Sequence, residues 1–252
     1  MTTNSLNNQC LNDFSVTSAT SGDTATLTVS NSSDTASSIA RSVVSVSSSS
    51  TSDLFTRYAV SATNQYAVGI DNSDSDRFKI SYAASGATPS STNYFYSDTA
   101  GNIRKPTNCM FCAWSEAAQN NVTGDTTQYR IIFDNELFDI GNNYDASTGV
   151  FTAPISGKYL FISVVCFSGL RSDTFTTSEY KVDSSSATIS SFHCGGTTIS
   201  SASGFASYCS NVYVELAASD TVSTVAFASG GTKTVDISTA FEQSKFGGFL
   251  IG

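Results

Sequence analysis

Tyr159-Leu-Phe-Ile-Ser-Val-Val-Cys-Phe167 decides the fold class. The run is long for a loop, and too β-branched and aromatic for a surface helix. It reads as a central strand buried on both faces. Working outward towards the C-terminus, strands are expected at Glu179–Val182, Ala187–Cys194, Ser207–Leu216, Thr221–Ala228 and Phe246–Ile251. Turn residues separate them: Asp183-Ser-Ser, Gly195-Gly196, Ala218-Ser-Asp220 and Gly230-Gly231. Strands at this spacing with such punctuation predict a sandwich or jelly roll. Towards the N-terminus, large apolar residues stay frequent back to Arg104-Lys-Pro106: Phe138, Leu137, Phe133, Ile132, Ile131, Trp114 and Phe111.

Before that point the texture changes. Period-two stretches such as Ala25-Thr-Leu-Thr-Val29 and Ser42-Val-Val-Ser-Val46 predict strands covered on one face. Ser47 to Ser52 reads as a low-complexity loop. Leu54–Val60, Gln65–Ile70 and Arg77–Tyr82 read as strands, with an acidic turn at Asp71-Asn-Ser-Asp-Ser-Asp76. Ala83 to Asn93 is a loop, Tyr94-Phe-Tyr96 a short aromatic segment, and Asp98-Thr-Ala-Gly101 a turn. These hundred residues offer many strands and little large aliphatic content. A core that thin is inadequate for an isolated monomeric unit, and chains that bury each other's half-faces are one solution. The expected division is a β-rich stem or anchor over residues 1–107 and a compact β unit over residues 108–252.

The average composition agrees with an all-β reading. The chain has 252 residues, of which 46 are Ser and 31 Thr, with 17 Phe, 11 Tyr and 3 Pro. These residues suit pleated surfaces and turns rather than helices. Disordered chains carry more charge and fewer aromatics. With 12 Lys+Arg against 21 Asp+Glu the net charge is −9, so there is no basic footprint for nucleic acid. No run approaches a membrane-spanning length, so no membrane insertion is expected. Met1 to Asn12 has neither the basic nor the apolar region of a secretory signal, and the expectation is synthesis in the cytosol.

Few residues carry chemistry. Cys109 and Cys112 form a C-x-x-C, but no βαβ unit supports a redox reading. A zinc reading wants a second ligand pair, and His193 beside Cys194 fits no standard spacing. Buried or partly buried free thiols on strands are the favoured reading. With Cys10, Cys166, Cys194 and Cys209 the count is six, which would allow three disulfides in an oxidising compartment, but the spacing is not that of a small stapled scaffold. One His in the chain argues against a Ser-His-Asp or Cys-His enzyme. Asp71, Asp74 and Asp76 could offer oxygens to a hard cation such as Ca²⁺. Tyr82, however, stands where an EF-hand needs its closing Glu, and Asp76 where it needs Gly. The favoured alternative is a solvated turn whose Asp side chains cap their own backbone. Asn31-Ser-Ser33 and Asn121-Val-Thr123 fit glycosylation sequons, a pattern of little weight in a Ser/Thr-rich chain. No catalytic, cofactor-binding or metal residue is nominated, and no cofactor is expected.

Phe133-Asp134, Phe138-Asp139-Ile140, Tyr144-Asp-Ala-Ser-Thr-Gly149, Phe151-Thr-Ala-Pro154 and Gly157-Lys-Tyr-Leu-Phe161 follow one another in order. This constellation resembles the signature of the C1q/TNF-like head domain. Val212-Tyr-Val-Glu-Leu216 with Ser219-Asp220-Thr-Val222 resembles the family's late strand and its following turn. Phe246-Gly-Gly-Phe-Leu250 resembles its closing strand, with Gly247 where relatives often have Ser. The resemblance covers about residues 108–252. It implies a ten-stranded antiparallel jelly roll assembled as a tight homotrimer, with Phe151, Tyr159, Phe161 and Phe249 as core and interface anchors. Gly149 suits a turn with positive φ, and Pro154 a strand end. Some relatives hold Ca²⁺ near their axis, but no such ligand maps onto this chain.

A second resemblance lies upstream. Tyr66-Ala-Val-Gly-Ile-Asp-Asn-Ser-Asp-Ser-Asp-Arg-Phe-Lys-Ile80 and Asp98-Thr-Ala-Gly-Asn-Ile-Arg-Lys-Pro106 are similar to segments of phage tail-fibre and virion-surface proteins. It implies a non-enzymatic virion structural protein: a trimeric fibre, spike or capsid decoration protein, partnered by other virion proteins. The knob would contact a host-surface glycan or protein. The competing readings are a secreted C1q-like lectin or adhesin, and a fibre with polysaccharide hydrolase activity.

Overall fold

The computed structural model describes residues 30, 39, 42–44, 52–61, 63–170, 177–184, 188–195, 204–239 and 244–252. Ala25-Thr-Leu-Thr-Val29 and residues 47–51 lie outside the described residues. So do residues 45 and 46 of the other predicted N-terminal strand. Its described part, Ser42, Val43 and Val44, is not in a strand: among the described residues no ladder pairs these three.

Among the described residues the chain is all-β, with one 3₁₀ turn at Asn72–Asp74 and antiparallel strand pairing throughout. The first sheet takes β1 (Leu54–Ser61), β2 (Asn64–Asp71), β3 (Arg77–Ala83), β4 (Thr92–Ser97) and β5 (Ile103–Arg104) in simple sequence order. The three strands predicted between 54 and 82 are found within a residue or so at either end.

This sheet has an unusual inside. Its fully buried apolar side chains are Ala67, Ala87 and Pro89, beside buried Asp71, Lys79 and Ser81. The loop between β3 and β4 covers this face: Ser81 Oγ donates to the Pro89 carbonyl at 2.9 Å, and Arg57 Nε to the Ala87 carbonyl at 3.0 Å. The opposite face is apolar and open.

The remaining strands form two facing sheets. One runs β7 (Gln119–Thr123), β17 (Val235–Ile237), β12 (Gly157–Leu170), β18 (Lys245–Leu250), β6 (Met110–Trp114), β9 (Asn135–Ile140), with β15 (Gly204–Leu216) on the far edge of β12. The other runs β10 (Tyr144–Asp145), β11 (Val150–Thr152), β16 (Thr221–Ser229), β13 (Thr177–Ser184), β14 (Thr188–Gly195). In this sheet β8 (Gln128–Arg130) and β11 share one edge of β16. This is the jelly-roll-like arrangement predicted by strand spacing.

Strand alternation builds the core. From β12, Tyr159, Phe161, Ser163, Val165 and Phe167 point inward and are fully buried. They meet Val222, Thr224, Ala226 and Ala228 of β16. Phe111 stacks on Tyr144 at 4.7 Å and on Phe151 at 5.1 Å, and meets Phe246 edge-on at 5.1 Å. The Tyr144 hydroxyl donates to the Phe133 carbonyl at 3.0 Å, so its polar tip is satisfied inside. Gly149 has φ +71°, as its place in the turn predicts, and a Cβ there would sit 2.4 Å from the Ile131 carbonyl oxygen. Pro154 lies in the bend just after β11.

One expectation is corrected. The run Tyr159–Phe167 is a central strand, but it is not buried on both faces: Ile162 is 45% exposed, and Leu160 and Val164 are half-buried. Among the described residues no layer covers the outer side of this sheet around Ile162, whereas Cys166 further along the strand is fully buried.

Candidate assembly surface

The outer face of the β12 sheet is assembled from alternating positions that would be polar on a solvated sheet. On β12 they are Leu160, Ile162 and Val164, while Cys166, next on that side, is fully buried. Register places Phe249 beside Leu160, Gly247 beside Ile162 and Lys245 beside Val164. On the next strand Cys112 pairs with Gly247, Met110 with Phe249 and Trp114 with Lys245. Phe138, 45% exposed, continues the row opposite Cys112, and Tyr213, 74% exposed, lies opposite Leu160 on β15.

The centre of this face is a hollow of about 290 Å³ lined by Cys112, Ile162, Val164, Lys245, Gly247 and Phe249. Lys245 is the one charged residue in that lining. Gly247 leaves the hollow without a floor side chain. Gly248 serves the other side: a Cβ there would stand 2.5 Å from the Phe161 ring, so the aromatic core packs directly on the strand's backbone. A continuous exposed apolar face of this kind marks an association surface rather than ordinary surface scatter.

The residues singled out by sequence separate clearly. Phe151, Tyr159 and Phe161 are core, while Phe249 is half-buried on the outer face. Cys109 and Cys112 are three residues apart on an extended segment and therefore face opposite sides. Cys109 is buried in the core, and its Sγ accepts from Asn143 Nδ2 at 3.4 Å; Cys112 lines the outer hollow. Burial, reinforced by the Asp139 charge, pushes the Cys109 thiol up to about 11. Burial also raises Cys112, against the nearby Lys245 charge. The C-x-x-C thus makes neither a disulfide nor a ligand pair. His193 and Cys194 fall on β14, opposite Glu179 and Ser178, and their side chains lie outside the described residues. Cys10 and Asn31 also lie outside them.

Burial gives the four described free thiols distinct accessibilities. Cys209 is exposed, Cys112 partly buried, and Cys109 and Cys166 buried. Timed alkylation with peptide mapping is expected to modify Cys209 first and Cys109 and Cys166 only on denaturation. Early labelling of Cys109 would contradict the packing of the residues that lead into β6.

The acidic turn is not an open cation site. Lys79 Nζ lies 2.8 Å from Asp71 Oδ2 and 2.6 Å from Asp74 Oδ2, and Arg77 Nη1 lies 2.7 Å from Asp74 Oδ1. Ser73 and Ser90 also donate to Asp71, at 2.6 and 3.0 Å. The expected solvated turn is therefore replaced by an ion cluster whose Lys79–Asp71 pair is buried and whose Asp74 and Arg77 are partly exposed, with Ser75 and Asp76 in left-handed conformation where the chain reverses. Among the described residues no cluster of metal-ligating side chains forms. No described helix is long and apolar enough to cross a membrane.

Burial alone would raise the Asp71 carboxyl, but hydrogen bonds from Lys79, Ser73 and Ser90 outweigh it and hold it far below the usual carboxylate range. Asp74 is lowered first by Lys79. Depressed carboxylates contribute stability that is present above their unfolded values and lost as pH falls through the folded ones. Burial opposes the Lys79 charge, yet its two carboxylates raise it above 10.5, so its contribution is lost only as pH rises through that higher value. Lys79→Met leaves Asp71 buried and unpaired, at a cost of about 3 kcal/mol. Hydrogen exchange over residues 63–97 is expected to accelerate strongly at neutral pH, and unchanged protection would contradict the ion cluster's role.

A profile described as the C1q domain matches residues 113–251. Among solved structures, the globular domain of zebrafish complement 1qA protein is similar at 21% identity, with a TM-score of 0.41, over 57% of this chain and 98% of that one. Murine APRIL is similar at 13% identity and a TM-score of 0.42, over 57% of this chain and 99% of that one. No curated protein matches the chain.

Proposed function

Because the chain belongs to the C1q domain family through residues 113–251, we propose that it is a homotrimeric, non-enzymatic structural protein of a bacteriophage particle. It would serve as a fibre, spike or capsid decoration protein made in the host cytoplasm and displayed on the virion surface. Domains of the C1q/TNF family typically form homotrimers and are generally non-enzymatic. The observation that carries the assembly is the apolar outer face of the β12 sheet, which one chain leaves uncovered around Ile162, Val164 and Phe249. Residues 1–107 are the stem or anchor docked on other virion proteins, and residues 108–252 the projecting knob, whose loops meet a host-surface glycan or protein. The virion setting is supported by the phage-like segments Tyr66–Ile80 and Asp98–Pro106. Antibodies against the chain, applied to intact particles in electron micrographs, are expected to decorate the particle surface. A chain recovered only as free protein, with unlabelled particles, would overturn the virion role.

A further inference from the structure

The first sheet lacks a core of its own, and this identifies a second interface. Its covered face buries two alanines and one proline around an ion cluster. Phe55 and Tyr96 share that side but are only half-buried, under Arg57 and Arg77. The other face collects most of the large side chains: Leu54 opposite Ile70, Thr56 opposite Val68, Tyr58 opposite Tyr66, and Phe78 and Ile80 on β3 with Phe95 on β4. Tyr66, Tyr82 and Tyr94 gather at one end, with ring centroids 5.2 to 6.2 Å apart. Among the described residues before β1, Val44 reaches the other end, at a shallow hollow of about 190 Å³ lined by Leu54, Thr56, Val68, Ile70 and Phe78. The tyrosine end stays open, with Tyr58 60%, Tyr66 43% and Tyr94 39% exposed.

We infer that the tyrosine end of this face is an interface between copies of this chain inside the same trimer. The inference rests on the trimer reading above. Three observations select a second copy as the occupant. A sheet whose buried apolar side chains are so small does not hold itself together in water, so its large apolar face must be covered for it to fold. Next, β5 ends at Arg104 and β6, the first strand of the C1q-type unit, starts at Met110. The five residues between span at most about 18 Å. Trimerised knobs therefore hold three such sheets together at an effective concentration of roughly millimolar. Finally, the face carries no charged side chain among the residues named, whereas each copy bears a net charge of −9. It is a surface on which copies meet without like-charge repulsion.

The test places a benzophenone photo-cross-linking amino acid at position 94 of the full-length chain, with position 66 as a second site and exposed Ser85 as the control. The probe-bearing protein is first sized by sedimentation. Irradiation is expected to give covalent dimers and trimers from positions 94 and 66 and none from 85. Adducts confined to one chain and mapping before residue 52 would overturn the inference in favour of the chain's own N-terminal segment. A trimer that yields no inter-chain adduct would overturn it while leaving the knob assembly standing. A protein that sediments as a monomer would overturn the trimer reading first, and this interface with it.

Discussion

On the proposed trimer, Ile162→Glu is expected to yield monomers without unfolding the chain. Ile162 sits on the outer side of β12, paired in register with Gly247 and Asn211, at the hollow that also holds Val164 and Phe249. In a single chain it is 45% exposed, so a carboxylate there stays hydrated and the inward-facing Phe161 and Ser163 are untouched. In an assembly that buries this face, each copy would place an unpaired charge in an apolar contact, at a cost of about 3 kcal/mol. That corresponds to roughly a hundredfold weaker association per contact. Sedimentation velocity at micromolar protein should show the single-chain species, with the β-sheet circular dichroism spectrum retained. A variant that assembles like the parent would show that this face is not the contact.

Phe161→Ala acts one residue away and in the opposite direction. Phe161 is fully buried, with ring centroids 5.2 Å from Phe151, 5.8 Å from Phe246 and 6.2 Å from Tyr159. It also lies directly on the Gly248 backbone. Both sheets contribute to this aromatic cluster, so neither can move in to fill the void. The loss expected is about 3–5 kcal/mol for a large-to-small change at a site that relaxes poorly. Denaturant unfolding followed by tyrosine and tryptophan fluorescence should show the midpoint falling sharply. A change under about 1 kcal/mol would mean the cluster is looser than its stacking distances indicate. Together the two variants separate the inner and outer sides of one strand: position 161 governs folding and position 162 governs association.

That separation also explains what the residues could and could not convey. The alternation along Tyr159–Phe167 is hidden, because both parities are apolar. Composition therefore reveals a strand, but not that the described residues leave one of its sides partly uncovered. The strands after it were legible because Gly, Asp and Ser punctuate them at regular spacing. The short strands between Gln119 and Thr152, and β17, carry too few residues for a periodic signal and were not anticipated. The acidic turn reads as a solvated turn, with a cation site as the alternative, because sequence shows Asp71, Asp74 and Asp76 as neighbours. It does not show that the β2–β3 register swings Lys79 into their midst. The C-x-x-C pair was dissolved by the same elementary fact, since residues three apart on an extended chain face opposite ways. Phe249 was singled out with three core aromatics, and only strand pairing shows that it belongs to the outer surface.

The first sheet presents the converse case. Its thin core was visible from composition, but the identity of its open face was not. Only the pairing of Tyr58 with Tyr66 and of Tyr66 with Tyr82 lines the tyrosines up on one side.

Sedimentation equilibrium of the unmodified full-length chain at micromolar concentration tests the central claim most directly. The account predicts a mass three times that of one chain, independent of the loading concentration. A mass equal to a single chain, with its outer β12 face left in water, would contradict it.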